Sequence, residues 1–227
     1  MSLRAVLFDA GNTLLFLDYA RMARAVGTAL GFPLTGDGLA AHAPEASQAM
    51  ERASGNDKER ASTYLEALFR FSGVPAERMA EVRDCLGALH RERHLWSSIR
   101  ERTHEALGRL RAAGIRLGIV SNSDGRVEQA LTAAGLREYF DVVIDSSLVG
   151  IEKPDPAIFR AALDALGVAP EEALYVGDLY EVDVVGARAA GIEAVLLAPS
   201  SPGPHRPCRT AASIDELVNT LMPQENG

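Results

Sequence analysis

From residue 100 onward the sequence alternates short apolar runs with helical patterns, and this alternation restricts the fold more than any other feature. Near-continuous apolar strands separated by helices predict a parallel sheet with helices on both faces. The predicted fold class is therefore α/β, with a Rossmann-like sheet. The predicted strands lie at residues 3–8, 114–121, 140–146, 172–178 and 192–198, and the predicted helices near 101–113, 124–134, 155–167, 182–190 and 213–221.

Residues 16–98 have a different character. They are rich in Ala, Arg and Glu, lack strong strand runs, and break near residues 31–38, 54–57 and 73–75. This pattern predicts four helices in a small all-helical cap domain, inserted after the first strand. The predicted organisation is an α/β catalytic core of residues 1–15 and 99–227 with a helical cap of residues 16–98. The Pro-rich stretch 198–209 is predicted to be a surface loop.

The bulk properties indicate an ordinary soluble protein. At 227 residues, with 47% hydrophobic and 24% charged residues, the chain can form a core domain with a smaller insertion. Its net charge of −8 disfavours nucleic acid or an anionic membrane as a partner, and no run approaches the ~18 apolar residues of a membrane span. Cys85 and Cys208 lack metal or redox spacing, and Asp9 comes too early for a cleavable signal peptide. We expect a cytoplasmic monomer or homodimer that acts on a small molecule.

Polar residues stand where the predicted strands end, which is the edge at which open α/β sheets bind ligands. Each one alone has an ordinary explanation, because an acid can form a turn, Ser121 can cap a helix and a lysine can be solvated. Three acids, a lysine and a hydroxyl that converge on one edge are harder to explain in this way. The candidates are Asp9, Ser121, Asn122, Lys153, Asp178 and Asp183.

These residues resemble the signature of the haloacid dehalogenase-like hydrolase superfamily, in its phosphatase type with a helical cap inserted after the first motif. "LFDAGNTL" matches the first motif, an apolar strand followed by Asp-x-Asp-x-Thr, except at Gly11. "GIVSN" matches the second motif at Ser121, and Lys153 in "EKPDPAIF" matches the third. "GDLYEVD" matches the fourth, Gly-Asp-x-x-x-x-Asp, with Asp178 and Asp183. The motifs occur in the right order and span nearly the whole chain.

The resemblance implies a role for each matching residue. Asp9 would be the nucleophile and form an aspartyl-phosphate or aspartyl-ester intermediate. Ser121, with Asn122 and nearby backbone N–H groups, would bind the phosphate. Lys153 would neutralise charge on Asp9 and on the phosphoryl oxygens.

The charges argue separately for a cation. Asp9, Asp178 and Asp183 bring three negative charges and Lys153 returns one, so a phosphate dianion would meet a net charge of −2. Mg²⁺ fits this site, because it takes oxygen ligands and retains waters. Asp9 and Asp178 are the expected direct ligands, and Asp183 binds directly or through water. By the resemblance, Gly11 contributes its backbone carbonyl.

Gly11 departs from the family pattern. In family phosphatases an acid at this position protonates the leaving oxygen and then activates water, and such help contributes about 10²–10⁴-fold to the rate. Gly11 cannot supply it, and the amide of Asn12 is not a proton donor at neutral pH. Glycine here also has a structural interpretation, as the residue that eases a tight turn with positive φ.

Functions from different classes stay open. The first is a Mg²⁺-dependent phosphatase for a small phosphorylated molecule, which is slow, limited to good leaving groups or supplied with an acid from elsewhere. The second is a metal-independent 2-haloacid dehalogenase, and a phosphonate-cleaving relative would need a cap lysine, for which Lys58 is the candidate. The third is a binding or regulatory protein on a weakened catalytic scaffold. The paired acids of "GDLYEVD" favour the phosphatase, since converged carboxylates without a cation are costly. Possible substrate contacts from the cap are His42, Arg52, His90, Arg93, His94 and Trp96.

Overall fold

The structure is a computed structural model that describes residues 3–52, 57–197 and 207–223. The chain divides into two compact units, which are Met1–Phe16 with Trp96–Gly227, and Leu17–Leu95. The side chain of Lys58 and most of the predicted Pro-rich loop lie outside the described residues. None of the helices in the described ranges combines the length and the apolar character that a membrane span requires.

The secondary structure follows the predicted alternation. The strands of the described residues are β1 (Ala5–Phe8), β2 (Phe16–Leu17), β3 (Trp96–Ser98), β4 (Arg116–Ser121), β5 (Val142–Asp145), β6 (Ala173–Gly177), β7 (Glu193–Leu197) and β8 (Arg209–Ala211). The helices are α1 (Tyr19–Leu30), α2 (Gly36–Ala41), α3 (Ala43–Arg52), α4 (Asp57–Phe71), α5 (Met79–Glu92), α6 (Thr103–Ala112), α7 (Val127–Ala133), α8 (Ser146–Val149), α9 (Pro156–Leu166), α10 (Val185–Ala189) and α11 (Ile214–Leu221). A turn of π-helix, Tyr180–Val184, leads into α10.

Six strands form one parallel sheet in the order β5-β4-β1-β6-β7-β8. β1 lies inside the sheet and is fully buried, and its side chains alternate between the two faces. Val6 and Phe8 join an apolar cluster with residues of α6, α7 and α11, whereas Ala5 and Leu7 join a cluster with residues of α9 and α10. Helices therefore cover both faces of the sheet, and the predicted α/β fold class is confirmed.

Two elements next to the predicted strands of the six-stranded sheet, β8 and α8, were not predicted. β8 adds a parallel edge strand beside β7, with Ala211 opposite Leu197. Its three residues are Arg209, Thr210 and Ala211, so it shows no apolar run and cannot be distinguished from a loop by pattern. The other element is α8, a single turn of helix after β5 that is too short to show a helical period.

The described part of the second unit holds five α-helices, so the prediction of four was wrong. The additional break lies at His42, between α2 and α3. Pro44 explains it, because proline is tolerated in the first turn of a helix but disrupts a helix that continues through it. Outside the six-stranded sheet, β2 and β3 form a two-stranded sheet that the sequence did not predict.

Candidate active site

Asp9 lies directly after β1, at the carboxyl edge of the parallel sheet. Its N–H donates to the carbonyl of Val176 at 2.8 Å, which continues the pairing of β1 with β6 by one residue. Only 6% of Asp9 is exposed, and its Oδ1 accepts a hydrogen bond from Nζ of Lys153 at 2.7 Å. The backbone and the lysine together hold this carboxylate in one position.

Lys153 is buried at the centre of a polar network. Its Nζ donates to Oδ1 of Asp9 and to Oδ1 of Asp183, both at 2.7 Å, and to the hydroxyl oxygen of Tyr175 at 3.0 Å. The Tyr175 hydroxyl also lies 3.1 Å from the carbonyl of Val120. Burial alone would lower the pKa of Lys153, but Asp183 and Asp9 outweigh burial and raise it well above its ordinary value. The lysine is therefore held in its charged form.

Asp183 is committed to this network through both oxygens. While Oδ1 accepts from Lys153, Oδ2 accepts from the N–H of Leu179 at 2.9 Å. Gly177 makes this close packing possible, because a Cβ at residue 177 would lie 2.4 Å from Cγ of Asp183. The first and last residues of "GDLYEVD", Gly177 and Asp183, therefore depend on each other, because Asp183 packs where a side chain at residue 177 would lie. Within the described residues, Asp183 does not join Asp9 and Asp178 in one tight three-carboxylate cluster.

The carboxylates of Asp9 and Asp178 lie in a site where three acids, Asp9, Asp178 and Asp183, face one positive charge, that of Lys153. Burial raises the pKa of Asp9 to about 6, although Lys153 opposes this shift. Burial, and then the charges of Asp9 and Asp183, raise the pKa of Asp178 well above its ordinary value. Neighbouring acids that resist ionisation in this way are typical of a binding site for a cation. The carboxylates of Asp9 and Asp178 are oxygen donors of the kind that Mg²⁺ prefers, and the backbone carbonyl of Gly11 stays a predicted further donor.

Ser121 ends β4 and is 4% exposed, at the same edge of the sheet as Asp9. The next residue, Asn122, holds the backbone of Lys153: its Oδ1 accepts from the Lys153 N–H at 2.8 Å, and its Nδ2 donates to the Lys153 carbonyl at 3.0 Å. This role of Asn122 was not predicted from the sequence.

Buried Asp145 orders the loop that follows Ser121. Its carboxylate accepts from the N–H groups of Gly125 and Val127, at 3.1 and 3.2 Å. Another N–H of the loop, that of Ser123, donates to the hydroxyl of Ser146. These three N–H groups already have partners, so they are not the ones that would assist Ser121 in binding a phosphate.

The turn after Asp9 corrects one interpretation of the sequence. Gly11 does not have a positive φ, and the left-handed residue of the turn is Asn12, with φ of 54°. A Cβ at residue 11 would lie 3.7 Å from Cδ1 and Nε1 of Trp96, which is an ordinary van der Waals contact. The backbone therefore does not require glycine at this position, and the absence of an acid is a chemical feature of the site.

Several residues that were predicted as substrate contacts from a cap have structural partners inside the second unit. Arg93 pairs with Asp18 at 3.0 Å, and Nδ1 of His90 accepts from the N–H of Leu95. The rings of His90 and His94 lie 4.5 Å apart. Their roles as substrate contacts stay predictions.

Tyr175 is the site residue that the sequence analysis missed. A signal existed, because its hydroxyl is the one polar side chain in the otherwise apolar strand "ALYVG". A buried hydroxyl normally needs a hydrogen-bond partner. Tyr175 lies two residues before Gly177, so its side chain points to the face of the sheet on which Asp183 packs against Gly177.

Comparison with known proteins identifies the class. A family model described as haloacid dehalogenase-like hydrolase matches residues 3–191, and the chain belongs to this family of hydrolases. Over its full length it is 31% identical to haloacid dehalogenase-like hydrolase domain-containing protein 3 of Bos taurus, of which it covers 90%. Over 70% of its length it is 39% identical to the Mus musculus protein of the same name, of which it covers 59%.

Similar proteins of named activity include a phosphatase and a dehalogenase. The chain is 42% identical over 60% of its length to a phosphoserine phosphatase of Thermus thermophilus, of which it covers 53%. Among solved structures, an HAD phosphatase from Thermococcus onnurineus has 25% identity and a TM-score of 0.62, with coverage of 99% and 100% of the two chains. An L-2-haloacid dehalogenase has 25% identity and a TM-score of 0.65, with coverage of 97% and 99%.

Proposed function

We propose that this hydrolase is a Mg²⁺-dependent phosphatase that acts on a small phosphorylated molecule through an aspartyl-phosphate on Asp9. The observation that carries the proposal is a pair of carboxylates at adjacent strand ends: Asp9 follows β1, Asp178 follows β6, and these two strands pair with each other. Burial raises the pKa of both carboxyl groups. A dehalogenase that works without metal has no use for this pair, whereas a phosphatase needs it to hold a cation. The similarity to the Thermus phosphoserine phosphatase supports the same choice.

In the proposed reaction Asp9 is the nucleophile. Lys153 holds Oδ1 of Asp9 at 2.7 Å, so we assign Oδ2 as the oxygen that attacks phosphorus. The bond from phosphorus to the leaving oxygen breaks, and water then attacks the phosphorus of the aspartyl-phosphate and releases inorganic phosphate. Ser121 is proposed to bind a phosphoryl oxygen, and Lys153 to stabilise the developing negative charge.

The proposed cation ligands are Asp9, Asp178 and the carbonyl of Gly11. When bound, Mg²⁺ would supply positive charge to the phosphoryl oxygens. Both oxygens of Asp183 accept hydrogen bonds from the protein, so we propose that Asp183 mainly holds Lys153 and that it binds the cation directly or through water.

Gly11 narrows the proposed substrates. Without an acid at residue 11, the leaving oxygen departs unprotonated, and this is slow for an alkoxide. Aryl and acyl phosphates, whose leaving groups are stable as anions, should therefore be hydrolysed far better than sugar phosphates. The third alternative was a binding or regulatory protein on a weakened catalytic scaffold. The buried network of charged residues around Asp9 and Lys153 argues against it, because buried charges are costly to keep without a function.

A 2-haloacid dehalogenase is the second candidate, and Gly11 is the observation that favours it. A halide leaves without a proton, so an acid at residue 11 would be unnecessary. Here the carboxylate of Asp9 would displace the halide from carbon and form an ester.

One assay separates the two candidates. Purified protein is offered acetyl phosphate, p-nitrophenyl phosphate, a sugar phosphate and 2-chloropropionate, each with Mg²⁺ and with EDTA. The phosphatase proposal expects release of phosphate from the first two, and its loss with EDTA. Chloride release that survives EDTA, without phosphate release, would establish the dehalogenase.

A further inference from the structure

The backbone of Lys153 lies in an irregular segment. This residue falls between α8, which ends at Val149, and α9, which begins at Pro156, so the hydrogen bonds of a helix or strand do not hold it. Its Nζ nevertheless lies 2.7 Å from Oδ1 of Asp9 and from Oδ1 of Asp183. Because a lysine side chain is a flexible stem, an ammonium group that stays in one place also needs a backbone that stays in one place.

The side-chain amide of Asn122 holds that backbone through two hydrogen bonds. Its Oδ1 accepts from the N–H of Lys153 at 2.8 Å, and its Nδ2 donates to the carbonyl of Lys153 at 3.0 Å. A backbone N–H can only donate and a carbonyl can only accept, so the amide fits in one orientation. Two bonds to the same residue restrain both the position and the rotation of the Lys153 backbone.

Asn122 is itself held by the sheet. It follows Ser121, the last residue of β4, and β4 lies between β5 and β1. On the same strand, the carbonyl of Val120 lies 3.1 Å from the hydroxyl of Tyr175, which in turn accepts from Nζ of Lys153 at 3.0 Å. The strand β4 therefore supports Lys153 at both ends, its backbone through Asn122 and its ammonium group through Tyr175.

We propose that Asn122 is a positioning residue for Lys153, and that it affects turnover through the lysine and not by contacting the phosphate. This inference rests on the role that the proposed function gives to Lys153. The family resemblance instead places Asn122 among the groups that bind the phosphate. The two roles give different results in the same variant.

The first test is kinetic, with acetyl phosphate as substrate and inorganic phosphate as inhibitor. Asn122→Ala removes both hydrogen bonds to the Lys153 backbone. A misplacement of about 1 Å can cost about 10²-fold in rate, and Asp9 and Asp183 still attract the ammonium group, so kcat should fall about 10-fold. KM and the inhibition constant of phosphate should stay within about twofold, because Lys153 stabilises charge that develops in the transition state. Ser121→Ala, the comparison, should raise both constants.

The second test observes Lys153 directly. Lys58 and Lys153 are the only lysines in the chain, so protein labelled with ¹³C,¹⁵N-lysine gives one backbone amide signal from each, and Lys58→Arg assigns them. In Asn122→Ala the N–H of Lys153 should exchange faster with solvent. The two ε protons of Lys153, which differ in chemical shift when the ammonium group is held in place, should move toward one averaged shift.

Two further variants complete the test. Asn122→Asp keeps the shape of the side chain and an acceptor for the Lys153 N–H, but it has no donor for the carbonyl. Its Lys153 N–H should stay protected while the ε protons become more alike, and this variant serves if Asn122→Ala does not fold. Asn219→Ala is the control, because Asn219 bridges Arg109 and Asp215 on the exposed face of α11. It should change neither the lysine signals nor kcat, and circular dichroism and thermal unfolding check that each variant is folded.

The outcomes separate this inference from the proposed function. A lower kcat at an unchanged phosphate inhibition constant, together with altered Lys153 signals, supports the positioning role. Unaltered Lys153 signals in folded variants of Asn122, or a raised inhibition constant at an unchanged kcat, would overturn it and leave the proposed function standing. If the wild type releases no phosphate from any substrate while the Lys153 signals change as expected, the proposed function fails and the positioning of Lys153 by Asn122 is supported.

Discussion

Restoring an acid at residue 11 is the perturbation that bears most directly on the unusual first motif. Gly11→Asp adds a side chain whose Cβ would lie 3.7 Å from Trp96, with no contact under 3.4 Å and no left-handed φ to strain it. Replacing glycine where the backbone permits it stabilises a protein by about 0.4–1 kcal/mol, while another carboxylate near Asp9 and Asp178 opposes this. We expect the free energy of unfolding to stay within about 1 kcal/mol of the wild-type value.

The expected gain is in alkyl phosphate turnover. A well-placed general acid contributes about 10²–10⁴-fold, and a newly added, unrefined side chain should recover only a fraction of this, about 10-fold. Aryl and acyl phosphates should gain little, since their leaving groups need no proton. The assay compares kcat/KM for a sugar phosphate and for p-nitrophenyl phosphate at saturating Mg²⁺.

Two variants control for shape. Gly11→Asn has nearly the same shape as Gly11→Asp without a titratable proton, and Gly11→Ala adds the Cβ alone. Neither should raise alkyl phosphate turnover. If Gly11→Asp folds, binds Mg²⁺ and still gains nothing over Gly11→Asn, the acid comes from elsewhere or phosphate esters are not the substrate.

Three further changes test the network around Asp9. Asp9→Asn should abolish turnover in folded protein, because an amide is not a nucleophile; appreciable residual rate in clean protein would rule out the covalent mechanism. Tyr175→Phe removes a hydroxyl that contacts Lys153, Asp183 and the Val120 carbonyl, and should lower the free energy of unfolding by about 1–3 kcal/mol in urea titrations; wild-type stability would contradict its structural role. Gly177→Ala places a Cβ 2.4 Å from Cγ of Asp183, so it should lower the free energy of unfolding by about 1–3 kcal/mol and remove most of the activity. In the control Gly108→Ala on α6 the Cβ has no atom within 4 Å, so stability and activity should stay at the wild-type level. Equal behaviour of the two variants would refute the packing argument.

The sheet could be predicted from the sequence because its central strands β1, β4 and β6 are almost completely buried, between helices on both faces. Five predicted strands correspond to β1, β4, β5, β6 and β7, each an apolar run with clear ends. β8 escaped prediction because an edge strand of three residues carries no such run. In the second unit, the break at His42 depended on one proline, which the composition of that region concealed.

Some residues of the candidate site could also be predicted from the sequence, and others could not. Asp9, Lys153, Asp178 and Asp183 stand at strand ends or in a motif of fixed spacing, so the sequence indicates them. The partners of these residues do not follow from spacing. Asn122 binding the Lys153 backbone joins residues 31 positions apart, and Trp96 meeting Asn12 joins residues 84 positions apart. Contacts of this kind arise from the packing of the folded chain and need coordinates.

The positive φ in the first motif shows why local chemistry alone was misleading. Glycine is the usual residue for a left-handed turn, so the sequence favoured Gly11 for that place. The left-handed residue is instead Asn12, whose side-chain oxygen also accepts a hydrogen bond from Nε1 of Trp96. The backbone therefore does not require glycine at residue 11. The missing acid matters instead because no side chain at residue 11 can protonate the leaving group.

Chemical trapping of Asp9 tests the central claim most directly. Protein mixed with acetyl phosphate and Mg²⁺ is quenched in mid-turnover with borohydride, which reduces an aspartyl-phosphate to homoserine, and the peptide containing residue 9 is analysed by mass spectrometry. The account predicts homoserine at residue 9 in the wild type, and none with EDTA or in Asp9→Asn. Unmodified Asp9 in a sample that is steadily releasing phosphate would contradict it.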